Sequence, residues 1–137
     1  MPAKDTYHDA VHSALVKDGW TITDEPFRLV WGERDFFVDI GAERVVAAEK
    51  AGKRIAVEVK SFLGASPMRD LELAFGQFVI YRCILEEQQL DRELFLAIPE
   101  GPAEILDEPI GQLLIAKQLI QAVIFDHQKE EILRWIP

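Results

Sequence analysis

The run Arg54 to Phe62, RIAVEVKSF, limits the fold more tightly than any other stretch of the chain. Its branched apolar residues suit a strand. Strand side chains alternate between faces, which sets Ile55, Val57 and Val59 on one side and Glu58 and Lys60 on the other. A carboxylate and an ammonium therefore head toward an interior, where charge is costly unless it is paired or bound to a metal. Surface pairs of this E-x-K type are common on strands. The remaining sequence has to decide between an ion pair and a site.

Around that strand the chain punctuates itself clearly. Tyr7, Ala10, Val11, Ala14 and Leu15 form a one-sided apolar stripe, predicting a helix over about Thr6–Asp18, capped by Asp5 or Thr6 and ended by Gly19. WTIT continues extended, EPF marks a turn, and FRLVWG and DFFVDI read as strands. RVVAAEKAGKRIAVEVKSF reads as a hairpin turning at Lys50 to Lys53 through Ala51-Gly52. GASP then stops the sheet, with Ser66 placed to cap a helix and Pro67 at its first position. That helix is predicted over about Met68–Glu87, with Leu71, Ala74, Phe75, Phe78, Val79 and Leu85 on its apolar side. ELFLAIP has the continuous apolar character of a central strand. EPIGQLLIAKQL predicts a shorter helix, and QAVIFDHQKEEILRWIP a closing hairpin turning at His127 to Lys129. The order helix, strands, helix, strand, helix, strand pair predicts an α/β fold on a mixed sheet.

Composition narrows the function classes. A chain of 137 residues with 49% hydrophobic content is expected to form a single domain with one core. The lone Cys83 excludes an intrachain disulfide and is expected to be a small core hydrophobe. The opening MPAKDTYHDA lacks the apolar segment of a signal peptide, and LLIAKQLIQAVIF is broken by Lys117, Gln118 and Gln121. A soluble, cytoplasmic protein with no membrane partner is the expectation. The formal charge of −9 argues against avid, unaided binding to nucleic acid, because a phosphate backbone is held mainly by Lys and Arg. The tryptophans at 20, 31 and 135 are too scattered for a base-stacking platform and are expected to close the core.

In DFFVDI the alternation groups Asp39 with Phe37, opposite Phe36, Val38 and Ile40. If the strand bearing Asp39 lies beside the one bearing Glu58, two carboxylates and the Lys60 ammonium meet. Hard cations such as Mg²⁺ or Mn²⁺ take such an oxygen pair, and phosphate oxygens complete their shell. The candidate catalytic set is therefore Asp39, Glu58 and Lys60, with Asp39 and Glu58 as metal ligands. Glu43 is a candidate third acid, and Glu49 shares its run. Gln77 and Tyr81, four apart on the second helix, share a face. His12 and His127 are expected to be solvated.

The order Asp39, EVK at Glu58 to Lys60, and QFVIY at Gln77 to Tyr81 resembles the PD-(D/E)xK nuclease superfamily, in the branch with a Q-x-x-x-Y helix. More closely, YHDAV, DGWTIT, VDIGAE, AVEVKSF and GQFVIYR resemble the XisH family, cyanobacterial controlling factors for excision of the fdxN element. The resemblance spans essentially the whole chain. It implies a restriction-endonuclease-like, tRNA-endonuclease-like three-layer fold over residues 1–137, with a central mixed sheet flanked by helices. Carried across, Asp39 and Glu58 become metal ligands and Lys60 the catalytic lysine, with Gln77 and Tyr81 supporting the site or touching nucleic acid. The proline that precedes the Asp in the superfamily is Val38 here. The Glu usually supplied by the first helix has His8 and Asp9 as candidates: the helical wheel favours His8, metal chemistry Asp9. The resemblance further implies DNA, the recombinase machinery and an XisI-like companion as partners, and a homo-oligomer is a further expectation. It implies either a Mg²⁺- or Mn²⁺-dependent phosphodiesterase or a catalytically silent regulator acting through a partner protein.

Overall fold

A computed structural model describes residues 5–44, 52–88 and 90–137. Helix α1 spans His8–Lys17, followed by strands β1 Thr21–Asp24, β2 Phe27–Trp31, β3 Arg34–Val38, β4 Ile40–Arg44 and β5 Lys53–Val59. Helix α2 covers Pro67–Glu87 and strand β6 Glu93–Pro99. A 3-10 helix at Pro102–Asp107, helix α3 at Pro109–Ala116, and strands β7 Ala122–Asp126 and β8 Glu131–Ile136 complete the described residues.

Among these residues the main sheet runs in the order β1-β4-β5-β6-β7-β8, and β2 and β3 pair separately as a hairpin. The sheet is mixed: β5-β6 and β6-β7 are parallel, whereas β1-β4, β4-β5 and β7-β8 are antiparallel. Parallel neighbours need long crossovers. Helix α2 joins β5 to β6, and the 3-10 helix with α3 joins β6 to β7.

Two apolar clusters sandwich the sheet. On one face Val11, Leu15 and Trp20 pack on Ile40, Ile55, Val57, Val59, Phe95 and Val123. On the other, Leu71, Ala74, Phe78 and Leu85 of α2 pack with Leu29, Val38, Ala56, Leu96, Leu106 and Ile124. The β5 alternation read from the sequence is the alternation observed, with Ala56 and Val57 in opposite clusters. This is a three-layer α/β architecture with a central mixed sheet between helices.

Several expectations need correction. Extended through residue 40, the alternation of DFFVDI put Val38 and Ile40 on one side, yet they belong to opposite clusters. The chain bends at Asp39 as it leaves the β2-β3 hairpin for the main sheet. Cys83 is exposed, because α2 carries apolar residues on its outer as well as its inner face. Trp31 is 50% exposed at the hairpin end, whereas Trp20 is buried. The 3-10 helix was not anticipated. The acid Glu49 and part of the turn expected at Lys50 to Lys53 lie outside the described residues; β4 and β5 are antiparallel, but the strand that pairs is Ile40–Arg44 and Lys53 faces Arg44, so the tight turn at Ala51-Gly52 is not what sets the register. No described helix is long and apolar enough to cross a membrane.

Candidate functional site

Glu58 projects from β5, between β4 and β6, into the layer under α2, and only 5% of it is exposed. Burial of a carboxylate in that position has to be answered by donors or by opposite charge. The bend at Asp39 supplies the donor: its backbone N–H donates to Glu58 Oε1 at 3.2 Å. In return the Val59 N–H donates to Asp39 Oδ2 at 2.7 Å. Two acids 19 positions apart are thus clamped crosswise, Glu58 by the Asp39 N–H and Asp39 by the N–H of Val59, the residue after Glu58. Lys60 follows on the same side of β5, with Nζ 3.5 Å from Glu58 Oε2. The structure brings together Asp39, Glu58 and Lys60.

The electrostatics follow from this crowding. Burial raises the Glu58 carboxyl, the adjacent Asp39 charge raises it further, and Lys60 offsets only part, leaving it at about 8. Tyr81 is pushed up to about 12, first by burial and then by the negative charges of Glu58 and Asp39, so its phenol lies within their field. Its ring meets Phe36 edge-on at 6.3 Å. One helical turn earlier, Gln77 Oε1 is buried with no hydrogen-bond partner among the described residues. A buried unpaired acceptor calls for a donor or a cation. The Q-x-x-x-Y face and the acid pair therefore sit in the same layer.

The first-helix candidates go elsewhere. Helix α1 covers the opposite face of the sheet. His8 is buried there, its Nε2 2.6 Å from Glu25 Oε2, and His12 Nδ1 approaches the same carboxylate at 2.9 Å. Burial works to raise Glu25, but hydrogen bonds and charge attraction from His12 and His8 prevail and hold it below the usual carboxylate range. Asp9 is exposed on α1. His12, expected to be solvated, is half-buried in this cluster, and the exposed His127 stacks on Tyr7 at 4.4 Å. Glu43 faces Arg54 across the β4-β5 ladder, 3.8 Å away, and is not a third acid beside Asp39.

Two residues near the site were missed in the sequence. Asp5, considered only as a helix cap, accepts hydrogen bonds from the Ser61 N–H and hydroxyl, tying down the strand end beside Lys60. Asp70 accepts from the Gly64 N–H at 3.0 Å. Both line a cleft of about 350 Å³ that opens at Lys60, together with Phe62, Leu63 and Leu73. Neither link has a local sequence signal, since strand periodicity gives a face and not a distant partner.

The fit to a divalent cation can be judged from the donors present. Among the described residues no group of three or more His, Cys, Asp and Glu is arranged to hold a metal ion. Mg²⁺, however, is usually held by one or two carboxylates, with water and substrate oxygens completing its octahedron. Asp39 and Glu58 suit that kind of partial, oxygen-only shell.

The family model for XisH protein matches residues 1–133. The chain belongs to the XisH family. Its fold matches that of an XisH family protein from Nostoc punctiforme, with a TM-score of 0.85 and 36% identity over 97% of this chain and 100% of that one. It is similarly close to an fdxN element excision controlling factor protein from Anabaena variabilis, with a TM-score of 0.84 and 34% identity over 98% of this chain and 100% of that one. No curated protein matches the chain. The family likeness covers the residues that build the site, from the Asp39 bend through the Q-x-x-x-Y helix.

Proposed function

We propose that this XisH-family protein is a restriction-endonuclease-like factor of the PD-(D/E)xK type, acting on DNA in control of the excision of a genomic element. The observation that carries the reading is the crosswise clamp of Asp39 and Glu58, with Lys60 at its edge. Two acids held this close in a buried layer repel each other, and a cation relieves that repulsion. Asp39 and Glu58 would hold Mg²⁺ or Mn²⁺. A bound ion of this kind neutralises charge at a phosphate and acidifies water. Lys60, at the mouth of its cleft, is placed to meet the phosphate or orient the attacking water. Tyr81 lies within the field of the two acids, and Gln77, one turn earlier on the same helix, carries a buried oxygen with no partner among the described residues. The excision role rests on what the Anabaena variabilis relative is called.

A second reading has its own support. The charge of −9 opposes DNA binding, and a silent regulator acting through a partner protein, an XisI-like companion or the recombinase machinery, would not need it. Calorimetric titration with Mg²⁺ and Mn²⁺, alongside cleavage assays on linear, branched and single-stranded DNA, separates the two. Metal binding together with cleavage that disappears in Lys60→Ala is the expected result. Absence of both, with a stable complex formed on a partner protein, would establish the regulatory reading.

A further inference from the structure

The outer face of α2 is built unlike the solvent side of an ordinary layer helix. Leu73 is 59% exposed, Ile80 49%, and Cys83 and Gly76 are exposed along the same line. Spaced by three, four and three residues, these four form one continuous stripe, on the side opposite the buried Leu71, Ala74, Phe78 and Leu85. Beside it, Trp31 and Phe36 of the β2-β3 hairpin and Val79, Ile80, Cys83 and Glu87 line an apolar groove of about 390 Å³. Contiguous exposed apolar surface of this kind marks an interaction site.

Gly76 sharpens the inference. Glycine in the middle of a helix is destabilising by roughly 1 kcal/mol relative to alanine. Nothing among the described residues requires it, since a Cβ added there meets none of their atoms within 4 Å. A glycine that no intramolecular contact needs, set between Leu73 and Ile80, is what close approach by another helix requires.

The charges say which helix. Arg69 and Glu87 are exposed near the two ends of the stripe, and neither has an ion-pair partner among the described residues. Along the line of the stripe Arg69 stands at the start and Glu87 at the end, with Glu72 exposed at its flank and a notch in the middle, so reversing a second copy sets Arg69 opposite Glu87. We propose that this face is a homodimer interface in which α2 packs antiparallel against α2 of a second copy, about a twofold axis at the level of Phe78. Ile80 of each copy seats against Gly76 of the other. Leu73 of each enters the groove beside Cys83 of the other, and Arg69 pairs with Glu87. A twofold contact of this type uses the same patch on both copies. The acid pair lies on the inner side of α2, and the interface meets the site only at Leu73, which also lines the cleft at Lys60.

Sedimentation and a cysteine readout test it. The wild-type protein sediments as a dimer at micromolar concentration, and Ile80→Glu raises the dimer dissociation constant roughly 100-fold or more by burying an unpaired charge. The far-UV circular dichroism of that variant, whose changed residue is exposed in the monomer, stays as in the wild type. Under mild oxidation Leu73→Cys forms a disulfide-linked dimer through Cys83 of the second copy. The wild type does not, because its two Cys83 residues sit about 15 Å apart along the axes. A wild-type monomer at these concentrations, a dimer indifferent to Ile80→Glu, or a Leu73→Cys variant that fails to cross-link would overturn the proposal.

Discussion

Glu58 is the residue on which the site turns, and its burial makes a pH-dependent prediction. Its carboxyl stands at about 8 in the folded chain against an ordinary value of 4.5. Between those values the folded state binds more proton than the unfolded state, so unfolding free energy falls as pH rises. The stabilising contribution is complete below about pH 4.5 and is lost on passing through about 8. Glu58→Gln removes the charge yet keeps an oxygen for the Asp39 N–H and adds a donor toward the Asp39 carboxylate. In metal-free buffer at pH 8 the variant is expected to melt roughly 5 °C or more above the wild type, with the gap closing toward pH 4.5. Thermal scans across that range decide it, and a variant that tracks the wild type at every pH would show that Glu58 is not held protonated. The partner residue behaves oppositely. Asp39→Ala leaves the Val59 N–H without its acceptor, a loss of about 1–3 kcal/mol.

At the scale of elements, the crossover from β6 to β7 rests on a close contact that glycine alone permits. Helix α3 sits directly on the 3-10 helix at Gly111, where a Cβ would come within 2.3 Å of Leu106 Cα and 2.5 Å of the Ile105 oxygen. These are backbone atoms and cannot swing aside, so Gly111→Ala is expected to cost at least about 2 kcal/mol. Gly76→Ala meets nothing among the described residues and is expected to strengthen α2 by about 1 kcal/mol, provided the comparison is made on monomer. Chemical denaturation of both variants checks the contrast, and equal effects would contradict the packing described. Legibility in the sequence follows the same physics. Helix α2 was readable because Ser66 caps it through the Arg69 N–H at 3.2 Å and Pro67 opens it. Strand β6 was readable because a central strand buried on both faces is continuously apolar, and β5 because its branched residues alternate with Glu58. Asp39 was placed in the right company for an incomplete reason. Alternation assumes a regular strand, and the bend that breaks it is what aims the backbone N–H at Glu58. The outer face of α2 misled the reading of Cys83, because periodicity cannot distinguish a face that meets the core from one that meets another chain. The His8–Glu25 and Asp5–Ser61 links join distant segments and leave no periodic trace.

For the whole molecule, charge decides how any DNA would be held. Twenty-four acidic residues against fifteen basic ones give a field that repels a polyanion, and physiological salt damps it only beyond about 8 Å, leaving it in force at contact distance. The cleft at Lys60 does not escape this, since Asp5 and Asp70 line it too. Affinity for DNA through counterion release grows with the number of phosphates neutralised by Lys and Arg, and few cations converge on this site. If the acid pair takes up a divalent ion, the sign of the local field changes where the phosphate must sit, and one ion supplies what the surface lacks. Fluorescence anisotropy with labelled duplex is therefore expected to show no binding in EDTA at physiological salt. With Ca²⁺ in place of Mg²⁺, which holds the ligands with reduced turnover, weak binding should emerge, and its logarithmic dependence on monovalent salt should have a slope of only about −1 to −2. Binding should vanish in Asp39→Asn combined with Glu58→Gln, even though that pair of changes removes two negative charges and on net charge alone would strengthen it. The double variant thus sets the two electrostatic accounts against each other: tighter binding would mean the acids merely repel DNA, and loss of binding would mean that they recruit the ion that attracts it.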